Sequence, residues 1–99
     1  MFEVYFLDKA KFFLNTLHSV DKNRLVASIS SMRNGNFELV RIKTLKGKVR
    51  ELIVKDYRIT FFVIGNSIYC INGFVKKSQK TPKHEIDYAE KIYKLLSDK

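Results

Sequence analysis

YRITFFVIGNSIYCINGFV, residues 57–75, decides the fold. Two apolar runs, 57–64 and 67–75, are rich in Val, Ile, Phe and Tyr, and after Arg58 neither carries a charge. Only Gly65-Asn66 separates them. Runs of β-branched and aromatic residues read as strands, and a Gly-Asn pair between two of them is a tight-hairpin signal. Segments around 37–42 and 48–55 have a similar composition and are set off by Leu45-Lys46-Gly47 and by Asp56. The short connections make 57–64 the middle strand, beside both 48–55 and 67–75. Arg50 then shares a strand face with Leu52 and Val54, whereas Glu51 goes with Val49 and Ile53.

Working outward, FEVYFL (2–7) alternates Phe2, Val4 and Phe6 against Glu3, Tyr5 and Leu7, a strand pattern. Asp8 is placed to cap a helix in which Ala10, Phe13, Leu14 and Leu17 recur at the 3.6 period. Asp21 is placed to cap a second, with Leu25, Val26, Ile29 and Met32 inward and Asn34-Gly35 at its end. The two form a helical hairpin joined around Ser19-Val20. Thr81-Pro82 opens a last helix, with Thr81 as N-cap and Glu85 and Asp87 near its start. Its apolar stripe is Ile86, Ala89, Tyr93 and Leu96. The order β-α-α-β-β-β-α gives one α+β domain over residues 1–99. Its sheet is expected to be mostly antiparallel, with about four strands, an N-terminal helical hairpin and a C-terminal helix.

Composition bounds the function. Hydrophobic residues make up 45% of the 99, enough for a real core. One cysteine, Cys70, rules out an internal disulfide and a cysteine-based zinc site. It reads as a small hydrophobe rather than a nucleophile. No apolar run approaches the ~18 residues of a membrane helix, and the first residues lack signal-peptide features. A cytoplasmic protein is expected.

The net charge of +9 is segregated. Residues 41–58 carry +5 and residues 76–83 carry +4, and they flank the uncharged stretch 59–75. Two segregated basic blocks suggest a polyanion partner, whose phosphates offset the repulsion among clustered cations. The bland alternative is a solvated edge blunted with lysines. Antiparallel neighbours bring Arg58 near the exit of Lys76 and Lys77, so the blocks are expected to line one rim.

LKGKVREL (45–52), DYRITFFVIGNSIY (56–69) and GFVKKSQKTPKHEI (73–86) resemble the RelE/ParE superfamily of bacterial toxins, in particular its HigB-like, phage-associated branch. The resemblance implies the RelE-like fold and, typically, cleavage of messenger RNA on the translating ribosome. It also implies a cognate antitoxin, here of helix-turn-helix type, with DNA contacted only through the antitoxin complex. Ile53 stands where the family usually has Arg, and Asn72 where it often has His.

Metal-free RNA cleavage turns a 2′-OH on the adjacent phosphate and needs a proton acceptor, fixed cations and a proton donor. No Gly-rich phosphate loop, His-Glu-x-x-His or paired-Asp motif is present, so neither metal nor cofactor is expected. Positions in the matched motifs imply Arg50, Arg58, Lys76 and Lys77 as phosphate and transition-state cations. Lys46, Lys48, Gln79 and Lys80 are implied as RNA-binding residues. Phe74 either stacks a base or belongs to the core. Glu51 is either the base or a structural partner of Arg58. His84 is either a proton donor or a surface residue, and His18 is a helix-end residue without a role. Two other functions remain open: a gyrase-inhibiting toxin on the same fold, and a non-catalytic RNA-binding remnant.

Overall fold

The hairpin at 57–75 forms the middle of a five-stranded sheet in the computed structural model, which describes residues 1–77 and 80–98. In chain order the elements begin with β1 (Glu3–Phe6), α1 (Asp8–Asn15), α2 (Ser19–Arg33) and a 3-10 turn at Phe37–Leu39. There follow β2 (Arg41–Lys46), β3 (Val49–Val54), β4 (Tyr57–Ile64), β5 (Ser67–Val75) and α3 (Lys83–Ser97). The strands lie in the order β1-β5-β4-β3-β2. All neighbours are antiparallel except β1, which joins β5 in parallel. The α+β, mostly antiparallel expectation holds, with five strands rather than about four. A parallel neighbour needs a long crossover, and the helices and strands between β1 and β5 supply it.

Strand alternation sorts the sheet into two apolar faces. Leu52, Ile59, Phe61, Ile68 and Cys70 pack beneath Ala10 and Leu14 of α1 and Leu25, Ile29 and Met32 of α2. Val49, Phe62 and Ile71 face the other way, against Ala89, Ile92, Tyr93 and Leu96 of α3. Phe61 and Phe62, adjacent in sequence, are both fully buried in opposite cores. Each such ring stabilises the fold by roughly 1.5–3 kcal/mol through burial.

Two bulges interrupt the alternation. On β5, Thr60 pairs with Asn72 and Phe61 with Cys70, so Ile71 and Asn72 both turn towards α3. On β2, Thr44 pairs with Arg50 and Lys46 with Val49, so Leu45 and Lys46 both turn that way. Past its bulge, β5 presents Gly73 to α1. A Cβ there would meet the Phe13 ring and come within 2.9 Å of Ile59 Cδ1. The bare backbone lets α1 close on β5.

Helix starts differ from the expected caps. α1 begins at Asp8 and α2 at Ser19, so Asp8 and Asp21 sit in first turns, where they still suit the helix dipole. His18 is the cap of α2 rather than a late residue of α1. Asp21 is engaged across the fold instead, accepting a 2.7 Å hydrogen bond from the Tyr57 hydroxyl. α3 begins at Lys83 after Pro82, and Thr81 faces the sheet rather than capping the helix. Phe37–Leu39 takes a 3-10 turn, so β2 starts only at Arg41 and runs on to Lys46. The turn that follows is Gly47-Lys48, with Gly47 at φ +56. Among the described residues, no helix is long and apolar enough to cross a membrane.

Candidate functional site

At the end of the sheet away from the Gly65-Asn66 turn, the register sets two rows of side chains across the α3 face. Lys43, Glu51, Thr60 and Asn72 form one row, and Arg41, Ile53, Arg58 and Phe74 the next. The start of α3 comes down on the first row. Thr81 Oγ1 donates to Glu51 Oε1 at 2.6 Å, and Asn72 Nδ2 donates to Glu85 Oε1 at 2.6 Å.

Glu51 is fully buried. A carboxylate removed from water is costly unless paired and hydrogen-bonded, and here the partners are the Thr81 hydroxyl and Arg58. Arg58 Nε lies 3.9 Å from Glu51 Oε1, close enough for attraction but too far for a hydrogen bond. Among the described residues, neither Glu51 Oε2 nor Arg58 Nε has a hydrogen-bond partner. The guanidinium is held from behind, because Nη1 donates to the carbonyls of Lys55 at 2.7 Å and Tyr57 at 2.9 Å. Although it stands near the start of β4, the Arg58 side chain is only 13% exposed.

Asn72 is committed at both ends of its amide, since its Oδ1 also accepts from Gly73 N at 2.9 Å. Glu85 in turn lies 3.6 Å from His84 Nε2. His84 is a surface side chain, 79% exposed. The backbone N–H of Lys76 donates to the Asp56 carbonyl at 2.8 Å, so the basic tail leaves β5 beside the β3–β4 turn. Lys76 is half-buried, while Lys77 and Lys80 are exposed. Gln79 lies outside the described residues. Phe74 is half-buried beside Arg58 and belongs to neither apolar core.

Strand alternation parts the expected site. Glu51, Arg58 and Phe74 share one face with Lys46, which lies 3.3 Å from Glu90 of α3. Arg50 and Lys48 are not brought to them. They line a cleft of about 290 Å³ with Phe2, Phe37 and Val63 on the α1–α2 side. The first basic block is therefore split between the two faces, and only the part on the α3 side can share a rim with the second. Arg50 sits between Val49 and Glu51, so its side chain must point the other way. Sequence reasoning passed over Arg41, Lys43, Thr60 and Glu85. Thr60, a lone hydroxyl inside an apolar run, was the available signal.

Elsewhere, burial pushes the Cys70 thiol up to about 12, which leaves it inert. The Tyr57 hydroxyl is raised by its hydrogen bond to Asp21 and then by burial. Among the described residues, no three His, Cys, Asp or Glu side chains converge as a metal site requires.

The sequence profile described as "Phage derived protein Gp49-like (DUF891)" matches residues 12–94. No curated protein matches the chain. Among solved structures, the RelB–RelE antitoxin–toxin complex from Methanococcus jannaschii is similar at TM-score 0.63 and 21% identity. That match covers 84% of this chain and 95% of the other. The intact E. coli RelBE toxin–antitoxin complex gives 0.64 at 14% identity, covering 80% of this chain and 100% of that one. The isolated E. coli RelE toxin gives 0.64 at 12% identity, covering 93% and 99%. At such identities the likeness speaks for the fold, and the profile match speaks for the family: the chain belongs to the phage-derived, Gp49-like family and is built on the RelE fold.

Proposed function

We propose that the protein is the toxin of a toxin–antitoxin pair and that it cleaves messenger RNA without a metal ion, on the ribosome. The observation that carries this reading is the Thr81–Glu51–Arg58 assembly. A buried carboxylate and two backbone carbonyls fix an arginine beside the exit of Lys76 and Lys77. The fold it sits on is similar to that of the RelE toxins.

In the reaction the ribose 2′-oxygen bonds to phosphorus as the 5′-oxygen leaves. The products are a 2′,3′-cyclic phosphate and a 5′-hydroxyl. The 2′-OH proton passes to a base, and the leaving oxygen receives a proton. Negative charge grows on the phosphate in the transition state, where cations that need no reorganisation help most. Arg58, Lys76 and Lys77 fill that role, and Phe74 offers a ring against which a base can stack. Glu51 has no exposed surface with which to reach a 2′-OH. It therefore positions Arg58 and is not the base. Proton transfer falls to an exposed group, and His84, 3.6 Å from Glu85, is one at hand. The antitoxin partner is an acidic segment that covers these cations, on a helix-turn-helix protein that alone contacts DNA, and the setting is the cytoplasm.

Asn72 favours a second reading. Where the family often has a histidine, this chain holds an amide bonded at both ends, with no proton to trade. That fits a non-catalytic RNA-binding remnant. Induced expression separates the possibilities, with primer extension on a translated message and plasmid supercoiling measured together. Breaks within codons that disappear in Lys77→Ala support the ribonuclease. Arrest with altered supercoiling and intact message would move the reading to a gyrase inhibitor. RNA binding without arrest would leave the remnant.

A further inference from the structure

The first basic block contains two pairs of cations that make no ion pair among the described residues, and the sheet separates them. Lys48 and Arg50 lie on the α1–α2 side. Arg41 and Lys43 lie on the α3 side, because Ile42 between them packs into the α1–α2 core. Both are exposed on the edge strand β2.

Register fixes where Arg41 and Lys43 stand relative to the Arg58 site. Arg41 pairs with Ile53, which pairs with Arg58, and Lys43 pairs with Glu51. Neighbouring strands are about 4.8 Å apart, so the Arg41 and Arg58 backbones are roughly 10 Å apart. That is about one Debye length at physiological salt, so the two charges act on the same bound polyanion. The acids on this face are already engaged. Glu51 is held by Thr81 and Arg58, Glu90 by Lys46, and Glu85 by Asn72 and His84. Among the described residues, no acid forms an ion pair with Arg41 or Lys43.

We propose that Arg41 and Lys43 are backbone-binding residues for single-stranded RNA, extending the Arg58 site across β3 to the free β2 edge. The opposite pair, Lys48 and Arg50, takes no part in this contact. The inference rests on the RNA-directed function proposed above and assigns the path the strand takes. Arg41 and Ile53 repeat the cation-beside-apolar pairing of Arg58 and Phe74 in the same row. A strand of RNA laid along that row meets phosphate partners and apolar surface alternately, the combination that holds single strands without sequence readout. An acidic protein segment would use the charges but not the intervening apolar surface in this way.

The test is a salt titration of binding to a labelled 2′-O-methyl RNA oligomer, which cannot be cleaved. Each lost phosphate contact lowers the slope of log K against log salt by about 0.7 for a single strand. Arg41→Ala with Lys43→Ala should therefore flatten the slope by about 1.4 and weaken binding at low salt. Lys48→Ala with Arg50→Ala should leave both unchanged. Equal losses in the two double variants, or a loss confined to Lys48 and Arg50, would overturn the assigned path while leaving an RNA-directed function standing. Self-association of the Arg41/Lys43 variant with unchanged RNA affinity would show that these cations only guard the edge strand. Weakened antitoxin binding with unchanged RNA affinity would give the edge to the antitoxin. No RNA binding by the unaltered protein would overturn this inference, while the proposed function is decided separately by primer extension on a translated message.

Discussion

Thr81, just ahead of Pro82 and α3, donates its hydroxyl at 2.6 Å to Glu51, 30 residues earlier in β3. One hydrogen bond thus joins the far end of the basic tail to the floor of the sheet. It also supplies a buried carboxylate with a donor that Arg58, at 3.9 Å, does not provide. Position 81 is held by this bond as well as by the helix that follows.

Stability should report that arrangement directly. Glu51→Ala leaves Arg58 without its counter-charge in a nearly buried place, a loss of about 3–5 kcal/mol. Glu51→Gln keeps an acceptor for Thr81 and should cost less. Urea unfolding of both variants checks the order, and equal stabilities would mean that the acceptor for Thr81 adds nothing once the charge is lost.

Kinetics separates positioning from proton transfer. If Glu51 only holds Arg58, Glu51→Gln lowers the cleavage rate while the acidic limb of the pH–rate profile stays in place. Disappearance of that limb would make Glu51 the base after all.

Arg58→Ala and Lys77→Ala should differ in their effect on folding. Arg58→Ala strands the Glu51 carboxylate and should unfold much of the protein, by about 3–5 kcal/mol. Lys77 is exposed, so Lys77→Ala should change stability by less than about 0.5 kcal/mol. Its cleavage rate should nonetheless fall roughly 10²–10³-fold, measured on protein whose circular dichroism is unchanged.

The path of the polypeptide was legible where local composition and global packing agree. The Gly65-Asn66 hairpin and most inward helical residues read correctly from spacing, but Val26, expected inward, is exposed, and Ile86 of the expected α3 stripe lies outside both cores while Ile92 packs into one. Bulges left no such mark. A strict two-residue period counted from Ile68 and Cys70 sends Asn72 and Phe74 towards α1 and Gly73 towards α3. The extra residue at Ile71–Asn72 reverses all three. Thr81 failed for a related reason. Thr before Pro reads locally as a cap, and only a carboxylate distant in sequence redirects its hydroxyl. Arg50 was drawn into the site by its motif although strand alternation already turned it away from Glu51.

Close packing at Gly73 gives a prediction independent of function. Gly73→Ala pushes a methyl into the Phe13 ring and Ile59, and overpacking of this kind costs about 1–3 kcal/mol. Adding Phe13→Leu should recover part of the loss in thermal or urea unfolding. No recovery would place the strain in the β5 backbone instead.

Alkaline pH should weaken the fold through Cys70. Burial raises its thiol from 9.0 to about 12, so the folded state holds a proton that the unfolded chain releases. Stability from this group is complete below pH 9 and is lost between 9 and 12. Tyr57 is also raised and acts in the same direction, so the measurement is the difference between wild type and Cys70→Ala. That difference should shrink as pH rises through this window. A constant difference would mean the thiol titrates normally in the fold.

Cations on both faces of one thin sheet have a consequence for how quickly the molecule finds its target. Within about a Debye length of its surface, +9 on a body this small attracts a polyanion from nearly every side. Arrival is therefore fast and falls steeply with salt, yet it does not select which face lands first. On the proposed function, discrimination must follow contact: an encounter through Lys48 and Arg50 should dissociate and one through Arg58 should persist. Residence time, more than collision rate, would then distinguish a productive substrate from the rest of the cell's RNA.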